Sequence, residues 1–304
     1  MKKHMISVQT ARWYQEDKQW ENMKLIKECG FEAIDYNISN LFTATFDEEN
    51  YTSFFDKSLA ELYDYYKPMK EAAKEYGISF AQSHGIGTVY FEGQDFKNEY
   101  IMQVTEKMIA VCAYLQCPMI VIHPWTGWLF RMENEHEVNM HIYRRLIPTA
   151  RRYGVKICLE NYPHSDVHEV CQYIDSLNAE AQENIFGYCL DIGHARMGKN
   201  DINRMIKVLG NRIIALHLHE NNGTVDSHLI PFTQVNEKGD GRSIDWNLVL
   251  DGLREIGYEG ALSFETFNAL KILPEKLKKA ALSYICEIGR YFREYMAAER
   301  EEMI

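Results

Sequence analysis

FGYCLDIGHARMGKNDINRMIKVLGNRIIALHLHE, residues 186–220, holds two short apolar runs of strand type, and each closes on a side chain able to bind a proton or a metal. The first, 186–193, carries Asp191; the second, 213–219, carries His217 and His219. The segment between them ends at Leu209-Gly210, and glycine tolerates the left-handed conformation that stops a helix. Strand, helix, strand in that order is the unit of a parallel sheet, because parallel neighbours need a long crossover.

Working outward, the same unit recurs. Strand candidates are MISVQ (5–9), EAIDYN (32–37), ISFAQSH (78–84), MIVIHP (119–124), KICLEN (156–161) and ALSFET (261–266), which with the first two make eight. Helical periodicity fills the gaps: Ile101, Val104, Met108, Val111, Cys112 and Leu115 recur at steps that share one face, and Leu277, Ala281, Tyr284, Ile285, Ile288 and Phe292 do the same near the end. Both stripes are expected to face the core. Glycines at 30, 77, 154, 210 and 257 punctuate helix ends before the next strand. No Pro/Ser-rich linker or charge block divides the chain, so the expected fold is α/β, a (β/α)8 TIM barrel forming a single domain over 1–304. Two strand-to-helix connections, about 37–57 and about 220–243, are longer than closure demands, and in such barrels these loops carry binding residues.

Composition narrows the function classes. The chain has 304 residues, 46% hydrophobic and 12% aromatic, enough for a substantial core. A formal charge of −11 offers no general attraction to polyanions, so nucleic acid is disfavoured as a partner. The seven cysteines are scattered, with no C-x-x-C pair, and read as reduced thiols. There is no signal-peptide pattern and no apolar run long enough for a membrane span, so a cytoplasmic location and no membrane association are expected.

From the third strand onward the runs finish with His84, His123, Glu160, Asp191, His217 and Glu265. Any one of these alone would read as a solvated strand end. Together at one rim they would repel one another or stay unsatisfied unless a cation neutralised them, because burying unpaired carboxylates is costly.

The chain resembles the xylose isomerase-like barrels, which include sugar isomerases, ketose 3-epimerases and endonuclease IV. The resemblance rests on LEN (159–161), LDIGHA (190–195), HLHE (217–220), DSH (226–228), GDGRSIDW (239–246) and YEGALSFE (258–265), in that order. It implies that Glu160, Asp191, His217 and Glu265 share a divalent ion, with His217 rather than His219 as ligand because His217 stands three residues before Glu220. Three carboxylates and one imidazole suit manganese, magnesium, cobalt or zinc. Glu160 and Glu265 are then the catalytic pair, base and acid on opposite faces of a sugar whose enediolate the metal stabilises. His84, His123, His194, Asp226 and His228 are expected to contact substrate or additional metal. Trp13 and Trp125, with Tyr14 and Trp128, are expected to wall the substrate pocket, and Trp246 to anchor a helix start capped by Asp245 or Ser243.

Two alternatives share this motif set. Endonuclease IV-like phosphodiester hydrolysis would use His84, His123, His194, Asp226 and His228 to hold further ions. A dehydratase of the inosose or dehydroshikimate type would use the same metal and proton abstraction. The ketose 3-epimerases carry an arginine six residues after the metal histidine where this chain has Gly223, a departure that argues against a simple ketohexose. Partners expected are therefore a small sugar molecule and, by analogy with related barrels, further copies of the chain.

Overall fold

The computed structural model describes residues 4–43, 45–46, 51–87, 90–125 and 134–298. Eight parallel strands form the barrel: β1 (Ile6–Gln9), β2 (Ala33–Tyr36), β3 (Ser79–His84), β4 (Met119–Ile122), β5 (Lys156–Glu160), β6 (Phe186–Asp191), β7 (Ile213–His217) and β8 (Leu262–Phe264). Within the series β1 to β7 each strand pairs with the next, and β8 pairs with β1 through Ile6 opposite Leu262. The last seam closes just beyond β7, where Leu218 N–H donates to Ser263 O at 2.8 Å and Glu265 N–H to Leu218 O at 3.1 Å.

Ten helices lie in chain order among the described residues: α1 (Gln19–Glu28), α2 (Leu59–Tyr76), α3 (Asp95–Tyr114), α4 (Glu135–Tyr153), α5 (Val167–Ala181), α6 (Ile192–Met197), α7 (Ile202–Leu209), α8 (Trp246–Glu255), α9 (Phe267–Lys271) and α10 (Glu275–Ala297). Helices α2 and α4 stop at Gly77 and Gly154, whose φ of 62° and 64° place them in the left-handed region that a residue with a Cβ resists. The α3 stripe from Ile101 to Leu115 is buried as expected. The α10 stripe is shifted: Leu277 and Tyr284 are 45% and 50% exposed, and the buried face runs through Leu282, Ile285, Cys286, Ile288, Phe292 and Met296. The apolar residues of α10 cover more than one helical face, so spacing alone did not fix which would pack. Asp245 caps α8 by accepting from Leu248 N–H, and Trp246 is fully buried behind it.

Side chains two apart on a strand share a face, and this periodicity builds the barrel interior in layers. Gln82, Val121, Cys158, Cys189, Ala215 and Ser263 form one buried layer on β3 to β8. Two residues further along each chain stand His84, His123, Glu160, Asp191, His217 and Glu265. The long loops follow suit: 37–57 holds two short 3-10 turns and a two-residue strand pair, and 220–243 is pinned by bridges at Glu220–Leu229 and Val235–Arg242. None of the described helices is long and apolar enough to cross a membrane.

The segment after β1 folds back over the end of β2. There the Tyr36 hydroxyl donates to Glu16 Oε2 at 2.9 Å, while Glu16 Oε1 is buried with no partner. Burial pushes this carboxyl up from 4.5 to about 7 against the opposing Tyr36 and Gln19 hydrogen bonds. A raised carboxyl binds its proton more tightly in the folded state, so stability is greatest below the unfolded value and declines as pH rises from 4.5 through about 7. The expected loss over that window is on the order of 3 kcal/mol. Glu16→Gln should flatten that part of a plot of urea-unfolding free energy against pH; an unchanged slope would remove Glu16 as its source.

Candidate metal centre

The LEN and LDIGHA motifs are mutually bonded. Asn161 donates to Asp191 O at 2.9 Å and accepts from Asp191 N–H at 2.8 Å, stapling the ends of β5 and β6 together. Asp191 Oδ1 accepts from His194 N–H at 2.6 Å, capping α6, which is why aspartate and histidine stand three apart. His194 Nδ1 in turn lies 2.9 Å from Asn161 O. Gly193 is required by space: a Cβ there would come within 1.9 Å of the His219 ring.

Glu160, Asp191, His217 and Glu265 each bring one donor atom into a group whose members lie within 4.8 Å of one another, and all four are buried. His217 Nδ1 stands 2.9 Å from Glu160 Oε1, 3.4 Å from Glu265 Oε2 and 3.7 Å from Asp191 Oδ2. Its Nε2 faces Asp35 Oδ2 at 3.1 Å. With Nε2–H donated to Asp35, the Nδ1 lone pair points at three carboxylates.

His84 repeats the pattern. Its Nδ1 donates to Gly85 O at 2.9 Å, leaving the Nε2 lone pair 3.3 Å from Glu160 Oε2. His123 Nε2 approaches the same oxygen at 3.3 Å, with its ring stacked on Tyr162 at 4.8 Å. Glu160 Oε2, Glu265 Oε2 and Asp226 Oδ1 are buried and accept no hydrogen bond. Lone pairs facing lone pairs in a buried site are tolerable only with a proton or a cation between them. Oxygen and imidazole donors suit a divalent ion, and thiolates take no part because all seven cysteines lie elsewhere.

A further group adjoins. His228 Nε2 lies 2.8 Å and His194 Nε2 3.3 Å from Asp226 Oδ2, and His219, Asp226 and His228 form a second candidate cation group, with His84, Glu160 and His217 a third. His219 does not join the four-donor group; its Nε2 sits 3.1 Å from both Asp191 oxygens. Glu220 turns away altogether, accepting from Trp246 Nε1–H at 2.8 Å and Phe232 N–H at 2.9 Å, which anchors the 220–243 loop.

Electrostatics follow the geometry. Burial opposes ionisation of Asp191, but His194 and His219 outweigh it and hold the carboxyl at about 2. Burial likewise works against charge on His194, yet Asp191 and Asp226 raise it to about 10. Burial lowers His123 to about 3 and His228 to about 4. Glu160 is held well below the usual carboxylate range, burial being overcome by His123 and His217, whereas burial and the neighbouring Glu160 and Asp191 charges drive Glu265 well above it.

The profile of the xylose isomerase-like TIM barrels matches residues 23–288. The chain belongs to that family. An uncharacterized protein of Sinorhizobium fredii, y4fM, is 26% identical over 276 residues, covering 84% of this chain and 83% of its own. An uncharacterized protein of Methanocaldococcus jannaschii, MJ1311, is 31% identical over 171 residues, 51% of this chain and 52% of its own. Among solved structures the fold is shared with E. coli 3-keto-D-glucoside 4-epimerase, YcjR, at TM-score 0.67, 15% identity and coverage of 94% and 100%. It is shared with Clostridium cellulolyticum D-psicose 3-epimerase, solved with D-tagatose, at TM-score 0.69, 16% identity and coverage of 95% and 99%. The IolI protein, solved with a zinc atom, gives TM-score 0.69, 17% identity and coverage of 96% and 98%.

In this xylose isomerase-like barrel the cavity above the centre has a volume of about 400 Å³, lined among others by Arg12, Asn37, Tyr162, Asp226 and Phe267. The tryptophan expectation needs correction. Trp13 and Trp125 are 4% and 2% exposed and do not line this cavity among the described residues. Trp13 is buried against β1 with Nε1–H donated to Gln9 O at 2.7 Å, and Trp125 faces a separate cleft between α3 and α4. Large indoles gain more from full burial than from a wet pocket wall. Tyr14 is also buried, and Trp128 lies outside the described residues.

Asp35 escaped the sequence reading. Beside the His217 contact it accepts from Gln82 Nε2–H at 2.9 Å and Ser263 Oγ–H at 3.3 Å, and it is fully buried. A carboxylate behind an imidazole fixes its tautomer and orientation, and losing such a partner typically costs metal affinity about 10–100-fold. Asp35→Asn should therefore weaken zinc or manganese binding by that factor in chelator competition while the circular dichroism stays native. Wild-type affinity in a folded variant would dissociate Asp35 from the centre.

Proposed function

We propose that this chain is a divalent-metal-dependent isomerase or epimerase of a sugar or sugar derivative. The observation that carries the reading is the placement of Glu160 and Glu265, which approach one imidazole nitrogen, His217 Nδ1, at 2.9 and 3.4 Å on the floor of the cavity. Glu160, Asp191, His217 and Glu265 would hold the ion. When bound, it supplies charge that polarises a carbonyl and the neighbouring hydroxyl and so acidifies the C–H between them.

The protein's own groups do the rest. Glu160 and Glu265 flank the substrate carbon, so one removes the proton and the other returns one. Return to the same carbon inverts it, return to the next carbon moves the carbonyl, and loss of a β-hydroxyl after abstraction is the dehydratase variant. Gln9 Nε2–H donates to Glu265 Oε1, fixing that carboxyl, and Phe267 and Tyr162 give the cavity apolar surface against sugar C–H faces. Sugar epimerases among the structural neighbours support the substrate class.

One observation favours a second reading. His84 and His123 crowd Glu160 on one side, and His194 and His228 crowd Asp226 on the other, a donor set extensive enough for more ions and for phosphodiester hydrolysis. Anomalous scattering from metal-loaded crystals separates the two, since one ion fits the isomerase and three fit the hydrolase, which would then nick an abasic-site oligonucleotide.

In deuterated water, the metal-loaded protein should wash deuterium into its ketose substrate. Glu265→Gln should reduce that exchange at least about a hundredfold with the melting temperature preserved. Undiminished exchange in the variant would remove Glu265 from the chemistry.

A further inference from the structure

We propose that Arg12 forms an oxyanion subsite at the cavity mouth, so that the substrate is a polyhydroxy chain bearing a carboxylate or phosphate at the end remote from the reacting carbon. This rests on the sugar reading above. The six ionisable strand-end groups of the centre come from the ends of β3 to β8, and the loops after β1 and β2 supply a different wall: Arg12, Asn37, Ser39 and Asn40. Arg12 is the one Lys or Arg on the cavity lining among the described residues.

Its backbone is strained to be there. Arg12 has φ 62°, and Trp13 N–H donates to Ala11 O at 2.8 Å, which makes Arg12 the centre of a three-residue turn of the rarer, left-handed kind. Side chains with a Cβ avoid that conformation, and it persists where surrounding bonds enforce it. Here the Trp13 indole bond to Gln9 O enforces it, and Gln9 is itself bonded to Glu265.

The guanidinium is also placed. It lies 5.0 Å above the Phe267 ring, which also stacks on His228 at 4.0 Å, and donates to Asn268 Oδ1 at 3.2 Å. Among the described residues it pairs with no carboxylate, in a chain with an excess of acids. An arginine held over an aromatic face, with Nη1 bonded to Asn268 and its Nε and Nη2 edge unengaged among the described residues, is suited to bidentate capture of an oxyanion. Asn37, Ser39 and Asn40 beside it offer amides and hydroxyls to the sugar chain.

The test is calorimetric binding of D-glucitol, D-gluconate and D-glucitol 6-phosphate to the full-length protein, metal-loaded and chelator-stripped. Using both forms separates Arg12 from any attraction of the anion to metal. Wild type should prefer an anionic probe over glucitol, and Arg12→Met should cut that preference about tenfold in both forms, with Arg12→Lys restoring part of it. Loss confined to gluconate identifies a carboxylate terminus, and loss confined to the phosphate ester identifies a phosphorylated one. Arg12→Gly guards against misfolding, because glycine accepts this φ: its melting temperature should rise by about 2 °C while the anion preference falls. An anion preference that survives in Arg12→Met or Arg12→Gly overturns the proposal. Because binding needs no turnover, Arg12-dependent anion binding without deuterium exchange would sink only the isomerase reading. Exchange with an Arg12-independent anion preference would sink only this one.

Discussion

The Nδ1 lone pair of His217 faces three buried carboxylates, and most of the barrel's upper half is organised around making that arrangement survivable. Charge of one sign cannot be gathered in a buried layer without a compensating positive centre. A protonated imidazole can provide it in part, as the raised His194 indicates, but a divalent ion does so for several carboxylates at once. The unpartnered oxygens on Glu160, Glu265 and Asp226 are aimed where such an ion would use them.

Beneath this layer the interior is not uniformly apolar. Val121, Cys158, Cys189 and Ala215 make a small apolar cluster under one side, while Gln9, Asp35, Gln82 and Ser263 make a hydrogen-bonded floor under the other. The floor serves direction rather than stability. Asp35 orients His217, Gln82 ties Asp35 to the β7 carbonyl of Leu216 at 3.2 Å, and Gln9 holds Glu265. The cost of polar burial is offset in the larger core between strands and helices, where Leu, Ile, Phe and Trp side chains are almost wholly enclosed.

How much of this was legible in the chain depended on whether the signal was periodic or three-dimensional. The eight strands and the residues finishing β3 to β8 could be read because a polar residue after an apolar run is conspicuous, and the two-residue strand period then sends all six inward together. Asp35 was missed although it obeys the same rule: it sits one layer deeper, followed by Tyr36 and Asn37, so it does not look like a strand end. Gln9 and Gln82 carry no charge to draw the eye. Trp13 and Trp125 misled because chain position after a strand says nothing about whether an indole turns toward the mouth or into the core. The α10 face was misphased for a related reason, since partners in space select which apolar stripe is buried.

The positive φ of Arg12 lies beyond any such reading, because arginine gives no local signal for that backbone, which is framed by the Trp13–Gln9 bond and, through Gln9, by Glu265 across the barrel. That has a physical implication for how the barrel divides its labour. Strands β3 to β8 present groups that need a cation, and the ends of β5 and β6 are stapled to each other through Asn161 and Asp191. The loops after β1 and β2 supply none of these six strand-end groups, so a substitution at an exposed wall position such as Arg12 alters the cavity wall while the buried donor set stays in place. Selectivity can therefore drift on one side of the mouth while the chemistry stays fixed on the other, which is how one scaffold comes to serve many substrates.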